Sequence, residues 1–211
     1  MSFQATHLAF ANEIKNNFKI KDLNKYFSGV LYPDSRYITK IPREKTHADA
    51  RIPLGQIKQI DDDFLLGWQV HLWYDKLALP NLDLVALGHH YNKIHMKNLK
   101  IWIKVTAVKM IEDFYFWQNT DWSKILPHLT YRFNANNEPM NLIDSWYNYF
   151  QNCYKRKPDF NVYQEQAIFM GIPKEKAAET FLCAKKFIKE GKGKNISNIF
   201  KKVKKEFLSK I

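Results

Sequence analysis

Apolar residues recur at helical spacing along most of this chain, while the residues that form tight turns are scarce. Residues 6–18, 142–154 and 196–211 each place their large apolar side chains on one face of a helix. With 7 Gly and 8 Pro in 211 residues, the chain has little material for the many turns of a sandwich or barrel. No segment requires a strand, so the sequence predicts an all-α fold, a single-domain bundle of about six to eight helices.

Capping residues and prolines set the expected helix boundaries. The aspartates at residues 61–63 favour a helix start there, and Pro80 is expected to end that helix at about Leu77. Residues 30–47 contain two prolines and no clean period, which predicts a long ordered loop with at most one helical turn. The remaining helices are expected over residues 6–18 and 22–29, from near Asp83, across 99–111, over 142–154 and 174–189, and from Asn195 or Ser197 onward.

The net charge of +12 is unevenly distributed. Residues 185–211 contain ten Lys against Glu190 and Glu206, so this segment carries +8 and the preceding 184 residues only +4. A chain with 45% hydrophobic and 15% aromatic residues is expected to fold rather than remain disordered. We therefore expect an all-α domain over residues 1–190 and a basic amphipathic helix over residues 191–211.

Cysteine usage and the N-terminal sequence bear on location. Cys153 and Cys183 form no C-x-x-C pair and no disulfide framework, which is typical of free thiols in a reducing compartment. Glu13 and Lys15 interrupt the apolar stretch near the N-terminus, so no signal peptide is predicted. No run of about 18 apolar residues occurs, so no membrane span is predicted either. The expectation is a cytoplasmic protein, with secretion by a route that needs no cleaved signal left open.

A histidine and an aspartate lie four residues apart in the segment G-W-Q-V-H-L-W-Y-D, residues 67–75. On a helix, His71 and Asp75 project from the same face, and imidazole and carboxylate are typical ligands of zinc and similar ions. If the upstream candidates converge on this pair, the pattern favours a metal-dependent hydrolase. If they do not, His71 is a buried histidine hydrogen-bonded to its helix or to Asp75. The upstream candidates are His7, Asp34 and His47.

Four short segments follow one another along the first part of the chain: T-H-L-A-F-A, G-V-L-Y-P-D, R-E-K-T-H and H-L-W-Y-D. Their order and spacing resemble the zinc-dependent phospholipase C and single-strand nuclease superfamily over roughly residues 1–95. By this resemblance, His7 would help to bind another ion, and the next ligand would be His89 or His90. The resemblance also implies a phospholipase C/nuclease-like fold with four ligands for one ion: Asp34, His47, His71 and Asp75.

One feature of that superfamily is missing. Its members carry a later H-x-x-x-E helix, but here His95 and His128 are each followed, four residues later, by a residue other than Glu. Glu112 or Asp113 would substitute only with a different geometry. We therefore expect one divalent ion, zinc by its ligand types, rather than a three-ion cluster, and a degenerate, inactive site stays open.

The ligand types together with this resemblance predict that the domain of residues 1–190 is a metal-dependent hydrolase of the phosphoesterase type, in which a metal-activated water attacks a phosphate ester. Asp34, His71 and Asp75 are the expected catalytic residues, and Arg36 and Arg43 are expected to bind the phosphate. The substrate would be a small-molecule or lipid phosphate ester.

The basic C-terminal segment supports a different class of function. As a cationic amphipathic helix, residues 191–211 would bind an anionic membrane surface or partner, which describes a non-catalytic adaptor or effector. Nucleic acid is a third candidate partner, but no Arg-rich run or helix-turn-helix signature favours it. Alternatively, the helix packs its apolar stripe on the domain and exposes only its lysines. The sequence leaves the oligomeric state open.

Overall fold

The computed structural model describes residues 3–48, 51–91 and 98–211. Within these ranges helix is the only regular secondary structure, and the buried apolar side chains form one core, which confirms the predicted all-α, single-domain fold. None of the described helices has the length and apolarity needed to cross a membrane. His95, considered above, lies outside the described residues. The helices α1 to α9 are Gln4–Ile14, Leu23–Leu31, Arg36–Thr39, Asp63–Leu87, Leu99–Asn119, Met140–Tyr154, Val162–Phe169, Lys174–Lys189 and Ile196–Leu208.

Helix α4 is the central element of the fold. Its 25 residues pack against α1, α2, α5 and α9, and its first half is buried on nearly all sides. Helix α2 crosses it at two glycines: a Cβ on Gly29 would lie 1.9 Å from Phe64 O, and a Cβ on Gly67 would lie 1.9 Å from Tyr26 O. Only glycine permits this approach, which brings the C-terminal end of α2 beside the face of α4 that carries His71.

Helix α4 extends past Pro80, so the predicted helix end before this proline is wrong. The helix runs to Leu87 and ends at Gly88, whose φ of 80° lies in the left-handed region that glycine adopts readily. Proline removes the hydrogen bond to the carbonyl of Lys76. Because Pro80 and Lys76 are both exposed, water can bind that carbonyl, and the helix tolerates the loss. Asp83 lies inside α4 rather than at the start of a separate helix.

Residues 30–47 contain more helix than the predicted loop. Helix α2 continues into this segment, a 3₁₀ turn follows at Tyr32–Ser35, α3 comes next, and a π-helical turn spans Glu44–Ala48. Trp68 in α4 holds the last turn by donating from Nε1 to Thr46 O at 2.8 Å. Short turns of this kind have no repeating apolar period, because tertiary contacts rather than local pattern stabilise them.

Helix α9 packs against α1, α4 and α5. Its buried apolar face includes Phe200, Val203 and Phe207, while most of its lysines are exposed. Lys204 pairs with Glu13 of α1 at 2.7 Å. The apolar face is therefore part of the core, and only the lysine face is available to an anionic partner.

Candidate metal centre

Five histidine and aspartate side chains meet between α1, α4 and the segment that follows α2. His71 and Asp75 project from one face of α4, one turn apart, as their spacing predicts. Asp34 comes from the 3₁₀ turn, His47 from the π-helical turn and His7 from α1. All are buried except Asp75, whose side chain is 19% exposed. The structure thus brings together the four predicted ligands of one ion and places His7 beside them.

The nitrogen and oxygen atoms of these residues are close enough to share an ion. Nε2 of His47 is 3.5 Å from Asp34 Oδ1 and 3.9 Å from Asp75 Oδ2. Nε2 of His71 is 4.0 Å from Asp34 Oδ2 and 3.9 Å from Asp75 Oδ2. Ligand atoms of tetrahedral zinc lie about 3.3 Å apart, so each of these four nitrogen–oxygen pairs would have to close by less than about one ångström to bind one ion. Asp34 lies within 4.8 Å of His7 and His71, and Asp75 lies within 4.8 Å of His47 and His71.

A backbone carbonyl fixes the tautomer of His71. Its Nδ1 lies 2.8 Å from Val30 O, and since a carbonyl can only accept, Nδ1 carries the hydrogen. The lone pair is then on Nε2, which is buried and has no hydrogen-bond partner among the described residues. An unsatisfied acceptor is costly in a protein interior, whereas histidines that bind metals regularly donate their other ring hydrogen to a carbonyl. The surroundings of His71 therefore fit a metal ligand.

A side-chain contact orients His47 in the same way. Its Nδ1 lies 2.9 Å from Thr46 Oγ1, and that hydroxyl lies 3.4 Å from Arg43 O. Because the hydroxyl donates its hydrogen to the carbonyl, its oxygen accepts from the Nδ1 hydrogen. The lone pair of His47 therefore also lies on Nε2, on the side of Asp34 and Asp75.

The geometry favours a single ion. His71 belongs to both groups of possible ligands, and with Nδ1 donating to a carbonyl it has one lone pair to offer. A neutral imidazole nitrogen binds one ion, so the two groups cannot each hold an ion through His71 at the same time. The groups, each with ligand atoms within 4.8 Å of one another, are His7, Asp34 and His71, and His47, His71 and Asp75.

His7 lies against His71 at the edge of this set. The two rings stack with centroids 3.7 Å apart, and His7 Nε2 is 3.5 Å from Asp75 Oδ1. Within the described parts of the chain, neither ring nitrogen of His7 has a hydrogen-bond partner. Burial, together with the neighbouring His71, lowers the pKa of His7 well below its ordinary value. The ring is therefore neutral at pH 7 and can act as a fifth ligand.

The ionisation states at the centre suit a divalent cation. Burial lowers the pKa of His47 to about 4, so its ring is neutral at pH 7. Burial opposes the ionisation of Asp34, but the neighbouring imidazoles of His47 and His71 hold its pKa well below the ordinary value. Burial also opposes the ionisation of Asp75, yet Lys109 and the histidines hold its pKa well below the ordinary value. Two carboxylates among neutral rings carry a charge that a divalent ion balances.

Three predicted site residues do not reach the centre. His89 and His90 are exposed beyond the end of α4, because the helix continues through Pro80, and His90 lines the cavity beside Asp75 without joining the ligands. Nδ1 of His90 instead lies 3.0 Å from Pro80 O. Arg36 donates from Nη2 to Tyr37 OH at 2.8 Å and stacks its guanidinium 4.2 Å from the centroid of that ring.

A cavity of about 500 Å³ opens beside Asp75. Arg43, a predicted phosphate-binding residue, lines it. Three further cations of the cavity, which the sequence pattern does not single out, are Arg51, Lys76 and Lys109. One feature of the sequence could have pointed to a buried Lys109. It lies in the otherwise apolar stretch 107–111, where a solvated lysine is not expected.

Two buried carboxyl groups on α5 lie behind the centre rather than in it. Glu112 accepts a hydrogen bond from Tyr74 OH at 2.6 Å, and Asp113 accepts one from Thr6 N at 2.8 Å. Tyr74 and Thr6 directly precede Asp75 and His7, so these hydrogen bonds connect α5 to the two helices that carry these residues. The two carboxyl groups do not take the place of the missing H-x-x-x-E ligands.

No family model matches the chain, and neither a curated protein nor a solved structure matches it. The resemblance over roughly residues 1–95 therefore stays a prediction. The metal centre is inferred from the ligand geometry alone.

Proposed function

We propose that this protein is a metal-dependent phosphoesterase with one divalent ion, zinc, held by Asp34, His47, His71 and Asp75. The meeting of these four side chains carries the proposal, since each histidine Nε2 lies 3.5–4.0 Å from an oxygen of both aspartates at the edge of a cavity lined by cations. Two imidazoles and two carboxylates are a set of ligands that suits zinc. A bound ion would lower the pKa of a water molecule and polarise a phosphoryl oxygen.

The exposure of the ligands indicates where a substrate would enter. Asp34, His47 and His71 are buried, whereas Asp75 is partly exposed and lines the cavity. A substrate in the cavity would therefore approach the ion from the Asp75 side. In this arrangement Asp34 and His71 would hold the ion from within. Asp75 would hold it at the cavity edge, where its carboxylate could accept a hydrogen bond from a water molecule.

The charge of the cavity supports an anionic substrate. Arg43 can form two parallel hydrogen bonds to phosphate oxygens, and three other cations line the same space. Positive charge beside the reacting group stabilises the negative charge that develops on phosphate oxygens during transfer. These features support a phosphate ester as the substrate.

Metal analysis of protein purified without chelator tests the centre. We expect one zinc ion per chain after reconstitution and a zinc-dependent phosphoesterase activity. His71→Ala removes a ligand, so zinc affinity should fall by more than about a hundredfold. Mutating residues that only hydrogen-bond to metal ligands already lowers metal affinity by about ten- to a hundredfold.

His89→Ala is the matched control, since this histidine is exposed and away from the centre. It should bind zinc with wild-type affinity. Wild-type protein that takes up no ion on zinc titration, or His71→Ala protein that binds zinc as tightly as wild type, would overturn the proposal.

A further inference from the structure

Lys109 is a buried cation beside the metal centre. It is 9% exposed, lies on α5 among apolar neighbours, and lines the cavity together with Asp75. Its charge is the largest of the influences that lower the pKa of Asp75, and it also acts on His7. An ammonium group with so little access to water is stabilised by nearby negative charge, and Asp75 supplies such charge in the metal-free protein.

With an ion bound, the charges around the cavity do not balance. A divalent ion would neutralise Asp34 and Asp75. Glu112, three residues beyond Lys109 on α5, does not compensate, because burial raises its pKa to about 8 and leaves it neutral at pH 7. Among the described residues that line the cavity, one other is acidic, Asp83, which accepts a backbone hydrogen bond at 3.2 Å. Within this described lining the four cations then outnumber the remaining carboxylate by three.

Aromatic contacts hold two of these cations in place. The guanidinium of Arg51 lies 5.7 Å and the ammonium of Lys76 lies 4.4 Å from the ring centroid of Trp73. Nε1 of Trp73 donates to Ile52 O at 2.8 Å, which ties the segment of Arg51 to α4. Positive charge at the cavity is therefore organised before any ligand binds, and this lowers the cost of binding an anion.

We infer that the cavity binds the dianion of a phosphate monoester and that Lys109 contacts its phosphate group. This inference rests on the proposed function, because it places the phosphate beside the metal centre. A monoester carries about two negative charges at neutral pH and a diester carries one, so the monoester offsets more of the cavity's charge. The volume of about 500 Å³ suits a small ligand, and Leu79, Pro80 and Tyr91 offer a less polar wall for the esterified group.

Lys109 would act as a second positive charge next to a single ion. Negative charge accumulates on the oxygens of a phosphoryl group during transfer, and fixed cations in a site with little water stabilise it strongly. A one-ion centre offers one divalent cation for this purpose. A buried lysine at the cavity supplies further positive charge without a second ion, which accounts for an ammonium group inside the apolar face of α5.

The preference of the cavity for a dianion over a monoanion can be tested with the wild-type protein. Binding of inorganic phosphate and of dimethyl phosphate to the zinc-loaded protein is measured by titration calorimetry. At about pH 8 phosphate is mainly the dianion, and we expect it to bind at least about tenfold more tightly, because it makes additional charge-assisted hydrogen bonds. Equal or tighter binding of dimethyl phosphate would overturn the inference.

A lysine variant tests the role of Lys109 itself. Lys109→Met removes the charge at nearly constant side-chain volume, so phosphate affinity should fall by about tenfold or more while zinc content is unchanged. Lys104→Met, on the exposed side of the same helix, is the matched control and should bind phosphate as wild type does. A folded Lys109→Met protein with wild-type phosphate affinity would overturn the inference.

If Lys109→Met does not fold, the same contact can be tested in the wild-type protein by chemical protection. Phosphate should slow reductive methylation of Lys109, measured by peptide mass spectrometry, and leave Lys104 unaffected. Equal methylation of Lys109 with and without phosphate would count against the contact.

The inference and the proposed function fail in different ways. Zinc binding with hydrolysis of bis(4-nitrophenyl) phosphate but not of 4-nitrophenyl phosphate would support the phosphoesterase and overturn the monoester site. Tight phosphate binding without hydrolysis of either compound would support the anion site and overturn the phosphoesterase. Hydrolysis of phosphatidate in phosphatidylcholine vesicles, compared with 4-nitrophenyl phosphate, distinguishes a lipid monoester from a soluble one.

Discussion

A single hydrogen bond at His71 decides which ring nitrogen is available to an ion. The carbonyl of Val30 accepts the Nδ1 hydrogen and leaves the Nε2 lone pair beside Asp34 and Asp75. Nε2 is buried and lacks a hydrogen-bond partner in the described parts of the chain. Binding an ion would therefore relieve an unfavourable buried acceptor.

The buried carboxyl group of Glu112 predicts a pH-dependent stability. Burial raises its pKa from 4.5 to about 8, so between these values the folded protein keeps a proton that the unfolded chain releases. The free energy of unfolding therefore falls as pH rises through this window, by at most about 1.4 kcal/mol per pH unit. Glu112→Gln can still accept from Tyr74 but does not titrate, so we expect a flatter pH profile and a variant more stable than wild type near pH 8.

Urea unfolding of the metal-free proteins at pH values of about 5, 6.5 and 8 measures this effect. Glu165→Gln changes an exposed glutamate on α7 and should keep the wild-type pH dependence. If Glu112→Gln showed the same pH dependence as wild type, Glu112 would not be the proton-binding group.

The crossing of α2 and α4 sets the distance between ligands on separate elements. Gly29 and Gly67 let the two backbones touch. Beyond this contact, α2 leads into the turn that carries Asp34, and α4 continues to His71. The separation of these two ligands is therefore fixed by an approach that only glycine allows.

Gly67→Ala would place a methyl group 1.9 Å from Tyr26 O, so α2 and α4 must separate. Overpacking costs about 1–3 kcal/mol, and each kcal/mol lowers the melting temperature by about 2–4 °C in a chain of this size. Zinc affinity should fall too, because Asp34 and His71 move apart. Melting curves and competition with a chelator measure both effects.

Gly55→Ala is the control for this crossing, since the nearest atom to its added Cβ would be 4.0 Å away. It should leave melting temperature and zinc affinity nearly unchanged. A Gly67→Ala protein that melts lower but keeps full zinc affinity would show that the crossing supports the fold without positioning the ligands.

The elements that the sequence predicts best are those with a local signal. Helices α6 and α8 begin and end within two residues of their predicted bounds, because a one-sided apolar stripe marks the first and Pro173 the start of the second. The pattern does not predict α7, whose eight residues include a polar run at 164–166. Pro80 is a misleading signal for a helix end. A helix tolerates a proline when the carbonyl that loses its hydrogen bond faces solvent, and tertiary packing decides which side of the helix faces solvent.

At the scale of the whole molecule, the ligands of the proposed ion come from three separate elements, so binding should stabilise the entire fold. An ion that binds only the folded state at about 100 times its Kd adds about 2.7 kcal/mol. We therefore expect zinc at that excess to raise the melting temperature by about 5–10 °C relative to protein with chelator. Scanning calorimetry measures the difference, and Asp34→Asn should abolish it.

Equal melting temperatures with zinc and with chelator would contradict an ion centre that joins these elements. A zinc-dependent rise that persists in Asp34→Asn would place the ion somewhere else in the molecule.

The candidate site shows the same limit on prediction as the helices. His71 and Asp75 were predictable as a pair because their spacing on one helix is a local property. Lys109 was not, because most lysines are solvated and only tertiary packing shows that this one is buried. The choice between Arg36 and Arg43 depends on an irregular segment, in which Arg43 reaches the cavity and Arg36 stacks on its neighbour.

Helix α9 has a consequence for how the molecule is made. The ring of Phe200 lies 4.2 Å from that of Phe116 and 6.1 Å from that of Tyr74, which directly precedes Asp75. The four proposed ligands leave the ribosome early, but the aromatic layer behind them needs a helix that is synthesised much later. The nascent chain would therefore carry an unfinished centre until α9 docks, and we expect any loading of the proposed ion to follow translation rather than accompany it.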